Sequence, residues 1–567
     1  MLNSKNNIWL LLVIIVVLIL FSDGFVKKKA WKEGRATIRS DVNLYYNYLP
    51  AVFIHDDITL NYYQQNPELR NYDWTHLLDN GNKIIKMTYG LSVLYSPFFF
   101  IADIYANNTE HKANGYSAPY HFSISLCAIF YFILALILLR KLLLMFFNDK
   151  VVALSILVVT AGTNLFYYTV FEPGMPHVFN FFLITSFLYL TIRWHKKPGW
   201  LYTFLLGISG GLIVLIRPTN ALIVLFFLLY GIHHKNDIKN RFQFYQKHWL
   251  KLLLIIILSI AFWIPQMYYW KVITGQWIFF SYANDEGFFF NNPQIMNILF
   301  SYKKGWLVYT PVMAIALAGI PLLWKKRRKL FWPVLTFIVV MIYVLSSWWN
   351  WWYGGGFGLR SFIDHYGLLA IPFAAISSYF FKKKGVKKYV YLTVVFILIC
   401  FNLFQTSQYR HNAIHWDGMN KEAYWETFLK RKPTQRFHQL LTKPDRQKAK
   451  QGIYREIPYN SKKEEKRKAL YQEYKTRLKN DSLFMDSIKS EPINSSEINQ
   501  KIDDYISNHI NDYIIQNKKD TLLIIKNGIR ENQALMEEIE QKAKSRNISV
   551  DSMITIDAVY LFKQGSR

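Results

Sequence analysis

Apolar runs long enough to cross a bilayer recur along this chain, and they constrain its fold more than any other feature. They lie at 8–26, 118–143, 150–170, 177–193, 200–216, 218–233, 250–269, 305–324, 330–347, 364–381 and 389–406. A helix needs about 20 apolar residues to span the hydrocarbon core, and one soluble core has no use for so many such runs. The sequence therefore predicts an all-α polytopic membrane protein, a bundle of about eleven transmembrane helices. Several runs are short, and 200–216 nearly touches 218–233, so the count is open by one or two. No convincing small-residue cleavage site follows the run at 8–26, which is expected to stay as a first helix. Beyond about residue 406, Lys, Glu, Asp, Asn and Gln dominate and no run is long enough to span. The expected division is a transmembrane domain at 1–406, with a first loop at 27–117, and a charged, mostly helical, water-soluble region at 407–567. In that region 463–479 reads as a solvated helix and Glu531 to Gln564 as two short helices.

The net charge of +29 would suggest nucleic acid in a soluble protein. Here many basic residues stand in short loops between apolar runs, and no nucleic-acid-reading motif accompanies them. The loops Arg193–Lys197, His233–Lys251, Lys325–Lys329 and Lys382–Lys388, with Arg140-Lys141, all fall on one side. The positive-inside rule makes that side cytoplasmic. Lys27–Lys29 alone disagrees. The N-terminus is then cytoplasmic and the region after 406 extracytoplasmic. Short loops and the lack of eukaryotic targeting signals favour a bacterial inner membrane, with that region in the periplasm. Its basic early part suits anionic membrane lipids, though a plain solvated surface has the same composition. The two cysteines, Cys127 and Cys400, sit in apolar runs and give neither a disulfide framework nor a metal spacing.

The loops on the extracytoplasmic side, 27–117, 171–176, 217–220, 270–304 and 348–363, are rich in Tyr, Trp, Gly, Asn and Asp. Interfacial aromatic belts explain part of this enrichment but not the clustered acids and glycines. The first loop opens with Arg39-Ser-Asp-Val-Asn-Leu-Tyr-Tyr-Asn-Tyr-Leu-Pro-Ala51. Lys86-Met-Thr-Tyr-Gly90 through Ser96-Pro97-Phe98-Phe99 precedes the second run. Glu172-Pro-Gly-Met-Pro-His177 forms a short turn, and Trp348-Trp-Asn-Trp-Trp-Tyr-Gly-Gly-Gly-Phe-Gly-Leu-Arg360 comes late. In this order on one membrane face, the set resembles the GT-C class of polytopic glycosyltransferases, in the branch of protein mannosyltransferases and lipid A aminoarabinose transferases. The resemblance covers residues 8–406. No single motif is specific; the ordered set is more so. It implies a helical bundle with juxtamembrane helices in the first loop, a polyprenyl- or dolichyl-phosphate sugar donor, an essential Asp near the membrane and inverting displacement.

Chemistry asks for the same groups independently. A carboxylate can deprotonate an acceptor hydroxyl, and arginines can hold a phosphate leaving group. Asp41 is the candidate base; the bland alternative is a loop Asp capping a turn. Asp41 has no acidic neighbour, which the family pattern often supplies, so the doublet Asp56-Asp57 after His55 stays open as base or as a site for a divalent metal ion. No cofactor is otherwise required. Tyr45 and Tyr46, beside Asp41, are candidate substrate contacts. Arg360, after four glycines in seven residues, is the first choice for the donor phosphate, with Asp364 and His365 as its structural partners. Arg217 is a second phosphate ligand or a residue snorkelling to lipid. Glu172 and His177 position donor, acceptor or cation, or are a helix-end acid and a headgroup-level histidine. Asp285, in the 270–304 loop with Tyr282, is a weaker sugar-binding candidate.

The functional expectation is transfer of a sugar from a polyprenyl-phosphate donor to a lipid, glycan or protein acceptor on the extracytoplasmic face. The competing readings are a lipid or solute transporter or flippase, and a non-catalytic membrane scaffold presenting its tail. No internal repeat is visible and the runs hold few charges away from their ends, which disfavours a transporter.

Overall fold

The computed structural model describes residues 37–78, 81–282, 286–459, 472–480, 485, 523, 525–546 and 549–565. The first expected helix at 8–26 lies outside them. Two compact units divide between Tyr459 and Asn460.

In the first unit, helices stand at every described apolar run. Ala118–Leu144, Trp249–Thr274, Arg328–Ser347 and Val386–Arg410 are each long and apolar enough to cross a membrane. The side chains that Trp249–Thr274 turns outward make the physical case. Only 6% of its apolar window is buried in the protein, and Ile256, Ile257 and Ile260 are all more than half exposed. Water would not tolerate such a face on a folded soluble protein; lipid solvates it.

Several runs are not continuous helices, and the breaks fall at Pro and Gly. The run at 150–170 divides into Asp149–Ala161 and Leu165–Val170 after Gly162. Helix Trp200–Ile216 matches its run and stops at Arg217, because Pro218 has no backbone N–H to carry the ladder on. The run at 305–324 breaks into Trp306–Tyr309, Val312–Ala318 and Ile320–Lys326. Helices Trp200–Ile216 and Pro176–Lys196 pack on one another, and Ala118–Leu144 packs on the latter.

The first loop contributes two short helices, Asp41–Tyr46, buried after Asp41, and Tyr48–Phe53, buried as far as Ala51, and a longer one, Gly90–Asn107. Beyond the last long helix the chain does not leave the unit. Residues 411–459 form short helices and a hairpin, Thr442–Pro444 against Glu456–Pro458. Ile414, Met419, Tyr424, Phe437 and Leu441 join the same apolar core as the bundle. We refer to this segment as the strap. Trp349, Trp351 and Trp352 are buried against it at Ala449.

The second unit carries helices Gln533–Arg546 and Val550–Gly565. Ile529, Ile539, Ala543, Met553, Ile554 and Ala558 form a small core within it.

Candidate active site

The loops at 37–117, 171–176, 217–220, 270–304 and 348–363 converge. Asp41 opens the first-loop helix, following Ser40, whose φ of 50° places a non-glycine residue in the left-handed region. Its carboxylate meets the Arg360 guanidinium at 3.0 Å, across 319 residues of sequence. The side chains retain 33% and 19% of their exposure, so the pair is reachable by a ligand. Arg360 Nε donates to the Tyr353 carbonyl at 3.0 Å, which fixes the fork. Burial works against the Arg360 charge, but Asp41, Tyr168 and Glu172 outweigh it and the guanidinium is held more firmly protonated than usual.

Arg217 belongs to a second, deeper network. Asp364 is fully buried and accepts four bonds. His177 Nδ1 lies 2.8 Å from Oδ1; Asn180, Asn220 and Arg217 donate to Oδ2 at 3.1, 2.9 and 3.3 Å. The structure thus corrects one expectation: the partner of Arg360 is Asp41, and Asp364 serves Arg217 and His177 instead. Arg217 also lies over the Tyr353 ring, 5.9 Å from its centroid, so both arginines reach the same tyrosine.

The glycine run shapes the backbone around Arg360. Tyr353, Gly354, Gly356 and Gly358 all have positive φ. A Cβ on Gly355 would meet the Trp416 ring, and one on Gly356 would meet the Tyr168 hydroxyl. That hydroxyl accepts the Phe357 N–H at 3.0 Å. The buried Lys304 ammonium donates to the carbonyls of Gly356 and Trp416, and Gly356 N–H donates to the same Trp416 carbonyl at 3.0 Å. Burial pulls Lys304 down from the ordinary 10.5 to about 7. Neighbouring Lys303 bonds the carbonyls of Asp417 and Thr442 and pairs with Glu456 at 3.1 Å. Lys304 clamps the glycine run to the strap, and Lys303 ties its own loop to the strap.

Tyr45 is buried beside this centre, within electrostatic reach of Asp41, Arg217, Arg360 and Tyr282, and its burial raises the phenol. Lys86 pairs with Glu286 at 3.1 Å and sits over the Tyr282 ring at 4.4 Å. Glu172 accepts a bond from Tyr167 at 3.1 Å and lines an open cleft next to the pair. Tyr46 lies apart: it is wholly buried among Tyr95, Phe99 and Tyr116, with its hydroxyl given to the Gly115 carbonyl at 2.6 Å. Asp57 closes a turn, accepting the N–H groups of Thr59 and Tyr62 at 2.9 Å each, and His55 stacks on Tyr62. Asp56 sits in that turn at a φ of 46°. Among the described residues no group of three His, Cys, Asp or Glu could hold a metal ion. Asp285 lies outside the described residues.

The central position of Asp364, the amides of Asn180 and Asn220, and the buried Lys304 are not evident from spacing. A polar signal was nonetheless available: Asn180 stands inside an otherwise apolar run, where an amide needs a partner.

No protein-family model and no curated protein matches the sequence. Solved structures to which this chain is similar include the following two. One is ArnT from Cupriavidus metallidurans bound to undecaprenyl phosphate, with a TM-score of 0.45 and 12% identity over 72% of this chain. The other is the Archaeoglobus fulgidus oligosaccharyltransferase in complex with Zn and sulfate, with a TM-score of 0.40 and 14% identity over 74% of this chain. Both are polytopic membrane glycosyltransferases of the GT-C class, which the ordered loop motifs of this chain resemble. The matches span 65% and 57% of those two chains. At such identities and scores, activity must be argued from the residues of this chain.

Proposed function

We propose that this protein is a membrane glycosyltransferase that moves a sugar from a polyprenyl-phosphate donor to an acceptor hydroxyl on the extracytoplasmic face. One observation carries the proposal: a partly exposed carboxylate, Asp41, and a held guanidinium, Arg360, meet at 3.0 Å where five loops converge beside an apolar helical bundle. A base and a phosphate ligand are the two groups the reaction needs most.

The ion pair suggests how they operate together. A donor phosphodiester arriving at Arg360 competes with Asp41 for the guanidinium, accepting bidentately. Asp41 is then released towards the acceptor. It takes the hydroxyl proton as the oxygen attacks the anomeric carbon, and the bond from that carbon to the phosphate oxygen breaks. Polyprenyl phosphate leaves with the electron pair, its charge met by Arg360 and by Arg217, which Asp364 orients. A single displacement inverts the anomeric configuration. Tyr45 and Tyr282 flank the donor side. No step is assigned to a metal.

We further assign residues 1–406 as the transmembrane domain and 407–567 as an extracytoplasmic region in a bacterial inner membrane, with the N-terminus cytoplasmic. The strap supports that sidedness, since Trp416 reaches Gly356 beside Arg360. The test is direct. Purified full-length protein in proteoliposomes is given polyprenyl-phosphate sugars and envelope lipid or glycan acceptors, and both the released polyprenyl phosphate and the glycosylated acceptor are measured. Transfer that depends on Asp41 supports the proposal. Movement of intact donor between leaflets without its cleavage would favour a flippase.

A further inference from the structure

An open cleft of about 350 Å³ is lined by Arg39, Tyr167, Phe171, Glu172, Tyr409, Arg410 and Trp416, among others. It adjoins the candidate centre through three elements. Arg39 precedes Asp41 by two residues, Tyr167 precedes Tyr168, and Trp416 lies against Gly355 of the glycine run.

We propose that this cleft is the acceptor subsite and that its ligand is a saccharide. The inference rests on the glycosyl-transfer reading and adds to it the class of acceptor and the cleft that holds it. Four aromatic rings and one carboxylate are the chemistry that recognises a sugar: apolar C–H faces lie on rings, and hydroxyls donate to the acid. Trp416 keeps 47% of its surface open here. Glu172 is held by Tyr167 with acceptor capacity remaining on the carboxylate. Arg39 is exposed and can donate to sugar oxygens. The cleft is at the small end of ligand pockets, large enough for one or two sugar rings and too small for a folded protein surface. The strap, through Trp416, is then part of the acceptor site.

The test uses the full chain in lipid nanodiscs. Methyl glycosides of glucose, galactose, mannose, N-acetylglucosamine and glucuronic acid are titrated and followed by saturation-transfer NMR. At least one is expected to bind saturably, and Glu172→Gln and Trp416→Ala are each expected to weaken it by about tenfold or more. Both variants should still bind undecaprenyl phosphate, which shows that they are folded. Failure of every glycoside to bind, or binding indifferent to both substitutions, overturns the proposal. Its failure is distinguishable from failure of the transfer reading. Binding that depends on Glu172 and Trp416 without donor cleavage leaves the subsite standing and removes the reaction. Transfer that needs Asp41 but ignores both substitutions removes the subsite alone.

Discussion

At the scale of single residues, the site is two charge pairs with different burdens. Asp41 and Arg360 are partly exposed and can exchange partners with a ligand; Asp364 is fully buried and cannot. Replacing Arg217 with Met leaves the Asp364 carboxylate in the interior with only His177 and two amides. Breaking one side of such a pair costs about 3–5 kcal/mol. Arg217→Met should therefore lower the thermal unfolding midpoint in detergent clearly, and Arg217→Lys should restore part of it. An unchanged midpoint would show that Asp364 does not depend on that charge. The sequence made Asp41, Arg217 and Arg360 legible as chemistry-bearing residues because charges beside apolar runs are costly without purpose. It could not reveal who pairs with whom. Asp364 stands four residues from Arg360 and 147 from Arg217, yet the more distant arginine is its partner, because helix packing rather than spacing brings them together.

At the scale of elements, the long helices were legible and their interruptions less so. An apolar run records that a segment is lipid-compatible. It does not record that Gly162 or Gly319 divides it. The strap was the element hardest to read. Its Lys and Glu content resembles a solvated tail, while a few apolar residues, Ile414 to Leu441, seat it in the bundle core. Lys304 joins it to the glycine run and gives it a pH signature. A lysine whose pKa falls to about 7 on folding is penalised fully below that pH. Between about pH 7 and 10.5 the unfolded chain keeps the proton that the folded chain releases, so stability from this group rises with pH across the window. Asp417, Lys303, Arg360 and Glu172 face the same ammonium and set where the window begins. The wild-type protein should therefore gain stability relative to Lys304→Met as pH rises through that window, measured by parallel thermal melts. Parallel pH dependences in the two proteins would contradict this.

At the scale of the whole molecule, the asymmetry of the loops is the organising feature. Basic loops at one end of the bundle and converging acids, glycines and aromatics at the other predict an orientation. In a Cys400→Ser background, Lys421→Cys in the strap should react with a membrane-impermeant maleimide on intact cells, and Lys383→Cys only after permeabilisation. The reverse pattern would put the site in the cytoplasm. At the centre of that face, Asp41 is proposed as a base that a donor phosphate releases from Arg360. Asp41→Asn removes the base and relieves Arg360 of its competitor, so it separates binding from chemistry. Undecaprenyl phosphate binding and sugar transfer should be measured side by side on purified wild-type and Asp41→Asn protein. Binding is predicted to be retained or tightened, while transfer falls by roughly 100- to 10,000-fold. Transfer at the wild-type rate in the variant would contradict the account.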